Sequence, residues 1–361
     1  MKSSFDATLP LAEAHTLPAK CYFDPAFAEA EAEAIFARTW QYVGRTEQVQ
    51  EIGQYITADI AGEPVLVVRG DDGVLRGFFN VCRHRAAPIL DGRSGCVGKI
   101  RCRYHGWTYD LRGALRGTPE FDGVCNFDKA DNGLVPVGAV VEHGPFVFVQ
   151  LEAPARSFEE SYAPFTTWLA TQPEVAKLKW FHRTTYDLAC NWKVYVDNYL
   201  DGGYHVNTVH PALAGAIDYR EYRTDVYPKC SLQSSPLQAT GGAVGSTRTG
   251  LAAYWWLWPN FMVNSYSGVM DTNLVLPINA GECQVIFDFW FHPDSTETFR
   301  RESIAVAEQV QQEDILISEQ VQRGLHSRSY STGRFSVKRE AGGYAFHQLV
   351  AKSISTERFL V

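Results

Sequence analysis

The residues with the clearest capacity for chemistry lie in one stretch near the middle of the chain, residues 191–211. It combines His205 and His210 with the carboxylate of Asp201 and the amide of Asn198. A metal-bound imidazole needs an acceptor on its other ring nitrogen, and a nearby carboxylate supplies one. Asp201 precedes His205 by four residues, which is one turn of a helix. The pattern indicates either a metal site or a buried helix whose histidines are satisfied by hydrogen bonds.

The spacing of the two histidines limits how they could share one ion. His205 and His210 are five residues apart, so a regular helix would separate their side chains by roughly 140° around its axis. We therefore expect the helix to be distorted between them, as happens often at functional sites. Pro211 disfavours helical geometry at His210, so we expect the segment to end there.

An earlier motif pairs a cysteine with a histidine twice. Cys82 is followed by His84, and Cys102 is followed by His105, in the pattern C-x-H and C-x2-H. Two thiolates on one iron and two imidazoles on the other form the ligand set of a Rieske [2Fe–2S] centre. A structural zinc site with two cysteines and two histidines is the alternative, although C-x-H is a tight spacing for one. A strand-like run precedes each half, so we expect both halves at strand ends.

The composition limits the classes of function. The chain has 361 residues and a net charge of −8, with 45% hydrophobic and 13% aromatic residues. A nucleic-acid partner requires a basic face, so this charge argues against one, and it also disfavours an anionic membrane surface. No apolar run reaches the roughly 18 residues of a membrane span, and the N-terminal residues lack the apolar core of a secretory signal. Because eight cysteines in a chain of this length do not suggest a disulfide scaffold, we expect a cytoplasmic protein.

The first half of the chain is expected to position the cysteine–histidine motif on a small β domain. Residues 1–20 indicate an extended arm, and a helix capped by Asp24 is expected from Pro25 to about Trp40. Short β-type runs separated by tight turns then predict antiparallel strands. These strands are Gln54–Ile60, Pro64–Arg69, Leu75–Asn80, Val137–Glu142 and Phe146–Gln150. His143 is expected in a surface turn between the last two.

The second half predicts a larger domain around the histidine stretch. A helix and its exit are expected over residues 157–180, and residues 212–250 are expected to be loop-rich. A mobile surface loop is expected over 241–250, with a lid over the site as the alternative. Alternating apolar residues in the strand-like runs predict an antiparallel sheet with one buried face. The strands are expected at Phe181–Leu188, Tyr254–Trp258, Phe261–Tyr266, Met270–Leu276 and Cys283–Phe291.

The last long element is a helix expected over Glu297–Leu325 and stopped by Gly324. Its apolar residues lie close to one stripe at helical spacing. They are Ile304, Ala307, Val310, Ile317 and Val321. Glu313 and Asp314 lie within the same helix, and a carboxylate near a buried helix face is costly unless it is paired or bound to metal. Two histidines and one carboxylate form the facial triad of non-haem Fe(II) oxygenases.

Taken together, these motifs resemble the α subunit of Rieske non-haem iron oxygenases over about residues 20–355, and within that family the choline monooxygenase and quaternary-ammonium oxygenase group. The resemblance is carried by the runs D-N-Y-L-D-G-G-Y-H-V, P-N-F-M-V-N, M-D-T-N-L-V-L-P and Q-E-D-I-L-I-S-E-Q-V-Q-R-G-L. It implies an α+β fold with a small antiparallel β Rieske domain, residues 43–152. The catalytic domain, residues 153–361, would be a helix-grip fold in which an antiparallel sheet wraps on the long C-terminal helix. Residues 1–42 would belong to that catalytic domain.

The resemblance also implies the ligands of two iron cofactors. Cys82 and Cys102 would bind one iron of a [2Fe–2S] cluster, and His84 and His105 would bind the other.

A mononuclear Fe(II) would be bound by His205, His210 and Asp314. Glu313 is the fallback for the third ligand because it adjoins Asp314. Asn198 matches an asparagine that lies near the iron in relatives.

One position departs from the family pattern. Many members carry an acidic residue three positions before the first iron histidine, where it bridges to a cluster histidine of the neighbouring subunit. Here that position is Gly202, and Asp201 is the candidate to serve in its place. The family architecture implies a homotrimer in which one subunit's cluster lies near its neighbour's iron. It also implies a separate NAD(P)H-dependent reductase.

The implied activity is monooxygenation, in which O2 and reductase-supplied electrons hydroxylate a C–H bond of a small quaternary-ammonium substrate of choline or betaine type, by oxidation or N-demethylation. Aromatic cages hold such cations by cation–π attraction, worth about 0.5–2 kcal/mol per contact. Candidate cage residues, which could equally be sheet core, are Tyr254, Trp255, Trp256, Trp258, Phe261 and Tyr266. The alternatives are ring hydroxylation or O-demethylation of an aromatic compound, a Rieske electron carrier without oxygenase chemistry, and a zinc-stabilised binding protein.

Overall fold

The computed structural model describes residues 5–237 and 247–354. The chain divides into two compact units, a smaller one of residues 36–160 and a larger one of residues 1–35 with 161–361. Both cysteine–histidine pairs lie in the smaller unit, and the histidine stretch and Asp314 lie in the larger one.

The smaller unit consists of three antiparallel sheets. Its strands are β1 (Gln41–Arg45), β2 (Gln54–Ile60), β3 (Glu63–Arg69), β4 (Leu75–Phe79), β5 (Ser94–Cys96), β6 (Ile100–Arg101), β7 (Thr108–Tyr109), β8 (Leu115–Gly117), β9 (Ala139–His143) and β10 (Phe146–Gln150). They pair in the orders β1-β10-β9, β4-β3-β2-β5 and β6-β7-β8. Cys82 therefore follows the end of β4 and Cys102 the end of β6, as the sequence predicts for the two halves of the motif.

The predicted strands of this unit agree with the structure to within two residues at each end. The expectation for His143 is wrong, because this residue ends strand β9 and does not lie in a surface turn. Its side chain is only 20% exposed, and its Nδ1 lies 3.6 Å from a carboxylate oxygen of Glu159.

The larger unit is built on one seven-stranded antiparallel sheet. Its strands are β11 (Lys179–Leu188), β12 (Arg223–Val226), β13 (Cys230–Pro236), β14 (Leu251–Leu257), β15 (Phe261–Tyr266), β16 (Val269–Asn279) and β17 (Glu282–Phe291), in the spatial order β11-β17-β16-β15-β14-β13-β12. Every neighbouring pair is antiparallel. This sheet with its helices gives the α+β class that the sequence predicts.

The helices of the chain differ widely in length. They are α1 (Pro25–Ala34), α2 (Phe158–Ser161), α3 (Ala163–Ala170), α4 (Trp192–Tyr199), α5 (Val206–Val209), α6 (Pro211–Ala214), α7 (Glu297–Leu325) and α8 (Ala341–Ser353), with 3₁₀ turns at Ala19–Tyr22, Phe36–Arg38, Thr46–Val49, Lys129–Asn132 and Val175–Lys177. The predicted bounds of α7 are confirmed, but Gly324 does not stop the helix, because it lies inside it and His326 is the C-cap. Helix α8 was not predicted. Helix α4 packs against both α7 and β16, which brings the histidine stretch beside the long helix.

Three expectations about the helices are wrong in detail. Helix α1 ends at Ala34 rather than near Trp40, because Ile35 caps it and a 3₁₀ turn follows. The single helix expected over 157–180 is divided into α2, α3 and a 3₁₀ turn. Val321 does not join the buried stripe of α7, since it is 46% exposed.

Two expectations about the sheet are also wrong. Strands β12 and β13 lie in the region expected to be loop-rich, whereas the surface loop expected over 241–250 falls mostly outside the described residues. The central strands are buried on both faces rather than one, since both alternating sets of residues in β15 and β17 are buried, whereas the edge strands β11 and β12 are partly exposed. The inward charge of Asp288 is tolerated because Arg183 and the indole N–H of Trp180 donate hydrogen bonds to it.

Candidate metal centres and active-site cavity

The histidine stretch folds as two short helices joined by a glycine turn. Helix α4 ends at Tyr199, and Gly202 and Gly203 follow with φ of +71° each, a conformation that favours glycine. Helix α5 then separates His205 from His210. The helix is therefore distorted, as expected, but the main break comes before His205 rather than after it.

Three side-chain atoms converge in the larger unit. The Nε2 atoms of His205 and His210 are 3.0 Å apart, and Asp314 Oδ1 lies 3.0 Å from His210 Nε2 and 3.7 Å from His205 Nε2. Two ligands that bind one ion at about 2.1 Å and at right angles lie about 3 Å apart. The three groups therefore fit one face of a metal ion, and two nitrogens with one carboxylate match the donor set of non-haem iron.

Each histidine forms a hydrogen bond to a different carboxylate through the ring nitrogen that faces away from the proposed metal position. His205 Nδ1 lies 2.6 Å from Asp201 Oδ2, and His210 Nδ1 lies 2.6 Å from Glu313 Oε2. A carboxylate accepts the Nδ1 proton, so both Nε2 atoms are left free to bind a metal. Burial by itself lowers the pKa of His210, but hydrogen bonds to Asp314 and Glu313 and their charges raise it. This concentration of negative charge favours a bound cation.

The carboxylates and the amide take separate places around this group. Asp314 Oδ1 faces the two Nε2 atoms, whereas Glu313 lies behind His210. Asn198 Nδ2 donates a hydrogen bond of 2.7 Å to Asp314 Oδ1, which places its amide beside the predicted iron site. The structure thus brings together all of the residues that the sequence assigned to this site. Glu313 contacts the Nδ1 atom of His210 and so orients that ring, whereas Asp314 faces the Nε2 atoms.

Gly202, the position at which the family resemblance implies a bridging acid, has no room for a side chain. A Cβ added to Gly202 would lie 2.1 Å from the backbone oxygen of Arg339, far inside van der Waals contact. The Gly202 N–H also donates to Oε1 of Gln233. Asp201 supplies the nearest acidic side chain instead, and its carboxylate accepts from the backbone N–H groups of Tyr204 and His205 as well as from the imidazole.

The two halves of the cysteine–histidine motif have the same backbone fold. The N–H of Ala86 donates to the carbonyl of Cys82 at 3.0 Å, and the N–H of Gly106 donates to that of Cys102 at 3.1 Å. Ala86 and Gly106 both have positive φ, 56° and 74°. Two equivalent tight turns thus present equivalent side chains, as a pair of loops that grips one cluster requires.

The side chains of these loops also fit a cluster. Both cysteines are buried, and the rings of His84 and His105 lie 4.6 Å apart. His84 stacks on Trp107 with centroids 4.8 Å apart, and among the described residues its buried Nδ1 has no hydrogen-bond partner. A buried, unpartnered nitrogen with a second histidine beside it is what a Rieske ligand needs.

A cavity of about 130 Å³ opens onto the histidine–aspartate group. Its lining includes His205, His210, Asp314 and a set of tyrosines. The tyrosines are Tyr195, Tyr199, Tyr222, Tyr254 and Tyr266. Of the six aromatic residues considered for a cage, Tyr254 and Tyr266 line this cavity. The other four, Trp255, Trp256, Trp258 and Phe261, are buried in the core instead.

Several cavity residues carried no sequence signal. Tyr222 follows the histidines without a recognisable spacing, and Gln233 lies in a strand that was not predicted. Arg248 lies within the glycine-rich tract expected to be a surface loop, and that expectation is wrong at Arg248, which is buried. His347 lies outside this cavity, on the unpredicted helix α8, and its Nε2 is 2.8 Å from Asp197 of the histidine stretch. Only their positions in the folded sheet and helices bring them to the site.

Comparison with known proteins agrees with this geometry. Residues 39–128 match the Rieske [2Fe-2S] domain, and residues 175–356 match the ring hydroxylating alpha subunit catalytic domain. The chain is 36% identical to the chloroplastic choline monooxygenase of Arabidopsis thaliana over 96% of its own length and 85% of that protein. The chain belongs to the Rieske oxygenase α-subunit family.

Other relatives extend this result. The carnitine monooxygenase oxygenase subunit of Escherichia coli (strain K12) is 32% identical, with 94% of each chain covered. The crystal structure of the quaternary ammonium Rieske monooxygenase CntA with L-carnitine superposes with a TM-score of 0.85 at 31% identity, covering 96% of this chain and 99% of that one. A naphthalene 1,2-dioxygenase at 19% identity has a TM-score of 0.79, covers 99% of this chain and 96% of its own, and shares the fold.

These findings decide between the classes considered from the sequence. The two domain matches imply a Rieske cluster and a mononuclear iron, so the prediction of both cofactors is confirmed. The chain is a terminal oxygenase subunit and an oxidoreductase, which sets aside the electron carrier and the zinc-stabilised protein. Subunits of this family act with a separate reductase. No helix in the described part of the chain is both long and apolar enough to cross a membrane.

Proposed function

We propose that this oxygenase hydroxylates a C–H bond of a small quaternary-ammonium compound. The observation that carries the proposal is the tyrosine-lined cavity at the histidine–aspartate group. Electron-rich rings attract a cation that cannot donate a hydrogen bond, and such cavities are the usual means of recognising trimethylammonium groups. The relatives named for choline and carnitine substrates support the same class.

In this proposal His205, His210 and Asp314 hold the iron, and Cys82, His84, Cys102 and His105 hold the cluster. The iron, when bound, supplies the activation of O2 with electrons that arrive through the cluster. Asp201 and Glu313 each hold a proton on the Nδ1 atom of one histidine, which fixes both rings with Nε2 toward the metal. Asn198 orients the carboxylate of Asp314 through its amide N–H.

The overall reaction balances for either kind of substrate. A methyl group on nitrogen, one O2, two electrons and two protons give an N-hydroxymethyl group and water. That group then loses formaldehyde and a proton to leave the tertiary amine. At a hydroxymethyl carbon, the same input gives an aldehyde hydrate and water. The cavity walls orient the substrate and limit the access of bulk water to the reacting carbon.

We also propose the domain limits and the assembly. Residues 43–152 form the Rieske domain, and residues 1–42 with 153–361 form the catalytic domain. The division of the chain into two compact units supports this proposal, although the smaller unit extends from residue 36 to residue 160. Three subunits form a ring in which one cluster lies near the neighbouring subunit's iron, with Asp201 in the electron path. A separate NAD(P)H-dependent reductase supplies electrons, and a cytoplasmic location stays a prediction.

A turnover screen tests the proposed function. The holoenzyme, a generic reductase and NADH are supplied with betaines, choline or aromatic acids, and O2 uptake and formaldehyde release are recorded. We expect uptake coupled to product only with quaternary-ammonium compounds. Coupling with aromatic acids alone would show that the substrate class is wrong and would favour ring hydroxylation or O-demethylation.

A further inference from the structure

The cavity contains one buried positive charge that the proposed chemistry does not use. Arg248 lines the cavity and is 5% exposed. Its Nη1 atom is buried and has no hydrogen-bond partner among residues 5–237 and 247–354. A guanidinium stays charged at any ordinary pH, and leaving a charged donor buried and unpaired is expensive. A group that fills the cavity and accepts its hydrogen bonds would remove this cost.

The described residues supply no matching anion at contact distance from this guanidinium. Asp271 is buried nearby and attracts Arg248, but within residues 5–237 and 247–354 no carboxylate forms an ion pair with the guanidinium. Asp271 Oδ2 instead accepts a hydrogen bond of 2.7 Å from Asn264 Nδ2. Among the described residues, Arg248 interacts with Tyr266, whose ring centroid lies 5.0 Å from the guanidinium carbon and whose side chain also forms a hydrogen bond with the guanidinium.

A row of three tyrosines connects Arg248 with the metal-binding group. The rings of Tyr266 and Tyr254 lie 5.9 Å apart, and those of Tyr254 and Tyr222 lie 6.5 Å apart. Tyr222 lies at the metal end, because its ring lies 3.1 Å from where a Cβ of Gly203 would be, and Gly203 precedes His205 by two residues. Arg248 lies at the other end of this tyrosine row.

Building on the proposed function, we propose that the substrate is a zwitterionic betaine and that Arg248 binds its carboxylate. The tyrosine row then accommodates the trimethylammonium group by cation–π attraction, toward the metal-binding group. A carboxylate matches the fork of a guanidinium in two parallel hydrogen bonds. Choline has no anionic group, so it would leave Nη1 unpaired and would add a second cation to the cavity. Arg248 is thus the residue that selects betaines over choline.

The carboxylates of the cavity can attract a cation, but they cannot by themselves orient a substrate. Asp201, Asp271 and Asp314 line the cavity with their carboxylates, and Arg248 is the one cationic side chain among the described lining residues. A monocation would be attracted by the carboxylates wherever it lies, without a preferred direction. A zwitterion has one arrangement that satisfies both ends, so it is oriented as well as bound.

The test compares matched substrates on matched variants of the holoenzyme. A series of betaines with one to three methylenes between the charges is set against the corresponding carboxamides, which keep the shape and lose the negative charge, and against choline. In the unmodified protein we expect kcat/KM for the best betaine to exceed that of its carboxamide by about 100-fold, since a buried charge pair is at stake. Isothermal titration calorimetry should give a similar ratio of Kd values without any turnover.

Arg248→Gln should bring that ratio close to one, and Arg248→Lys should retain part of it, because lysine keeps the charge but loses the paired donors. Arg223→Gln removes an arginine that is 74% exposed and should leave the ratio unchanged. Circular dichroism and the cluster spectrum report whether each variant is folded. If Arg248→Gln does not fold, Arg248→Lys decides, and an unreduced ratio there overturns the inference.

The outcomes separate this inference from the proposed function. An Arg248→Gln protein that keeps the full preference for carboxylates, or a native protein that favours choline over every betaine, overturns the role of Arg248 and leaves the quaternary-ammonium function in place. If the native protein neither binds nor converts any quaternary-ammonium compound, the proposed function itself fails.

Discussion

Replacing Asp201 by asparagine should weaken iron binding without removing the site. In the structure, Asp201 Oδ2 accepts from both the Nδ1 and the backbone N–H of His205, at 2.6 and 2.9 Å, and Oδ1 accepts from the N–H of Tyr204 at 3.0 Å. Asparagine has a single side-chain oxygen. Placed at the Oδ2 position, that oxygen keeps both bonds to His205, and its NH2 group then faces the N–H of Tyr204.

The magnitude follows from this count. Asp201→Asn loses one backbone hydrogen bond, worth about 1 kcal/mol, and exchanges a charged acceptor on the imidazole for a neutral one. Loss of a group that orients a metal ligand costs about 10–100-fold in affinity, or about 1.4–2.8 kcal/mol. We expect Asp201→Asn near the lower limit of that range. Asp201→Ala removes all three bonds, so we expect it near the upper limit.

Chelator competition for Fe(II) measures the affinity, with the cluster absorbance as an internal check of folding in the same sample. Asp225→Asn provides the matched control, because it makes the same chemical change at an exposed residue of β12. If both Asp201 variants bind Fe(II) as the native protein does, the carboxylate does not orient His205 and our reasoning is refuted. With iron fully loaded, slower reoxidation of a reduced cluster in Asp201→Asn would support its place in the electron path, and an unchanged rate would remove it from that path.

Three further predictions concern single residues. Gly202→Ala should lower the free energy of unfolding by about 2 kcal/mol or more, because the backbone is left-handed there and the new Cβ would clash with the Arg339 carbonyl. Thermal unfolding measures this loss. The control is Gly73→Ala, because Gly73 has a similar φ of +76° but no atom within 4 Å of the added Cβ. Glu313→Gln should lower Fe(II) affinity about 10-fold, since a neutral acceptor holds His210 less firmly, and chelator competition measures this. Burial lowers the pKa of His143, although the charge of Glu159 opposes this. The His143→Gln variant has no imidazole to protonate, so it should lose less stability on acidification than the native protein.

Each of these has an outcome that would contradict it. Equal losses in the two glycine variants would show that the Arg339 carbonyl moves aside freely. Loss of all iron in Glu313→Gln would make Glu313 the third ligand. For His143, a lowered pKa means stability that is present above the ordinary pKa of about 6.5 and is lost as the pH falls through the lowered value. Unfolding midpoints at pH 8 and pH 5 should therefore differ less in His143→Gln than in the native protein or in the exposed control His15→Gln.

The elements best predicted from the sequence are those whose local pattern decides their structure. Strand β2 and helix α7 have the predicted bounds, because alternation in one and helical composition with a threonine cap in the other act over neighbouring residues. Strand β13 escaped prediction because its inward residues are polar. Its buried Gln233 is satisfied by Gly202 and by the carbonyl of Tyr199, contacts that no local pattern reveals.

The same distinction applies to the site. Cys82, His84, Cys102 and His105 form two compact motifs whose spacing predicts cluster ligands, and the match of residues 39–128 to the Rieske [2Fe-2S] domain supports that prediction. The third group at the mononuclear site lies 104 residues beyond His210, and adjacent residues on a helix point about 100° apart. Only the rotation of α7 against α4 distinguishes Asp314 from its neighbour.

The departure from the family pattern at Gly202 is explained by the same turn that forms the metal site. The chain passes so close to the Arg339 carbonyl that only glycine fits at that position, which excludes an acid there. The glycine turn also allows Asp201, although outside any helix, to fold back onto the ring and the backbone N–H of His205. One carboxylate therefore stabilises the turn and orients the metal ligand together. Moving the acid by one residue preserves its contact with the histidine, and it makes the stability of this turn and the affinity for iron depend on the same side chain.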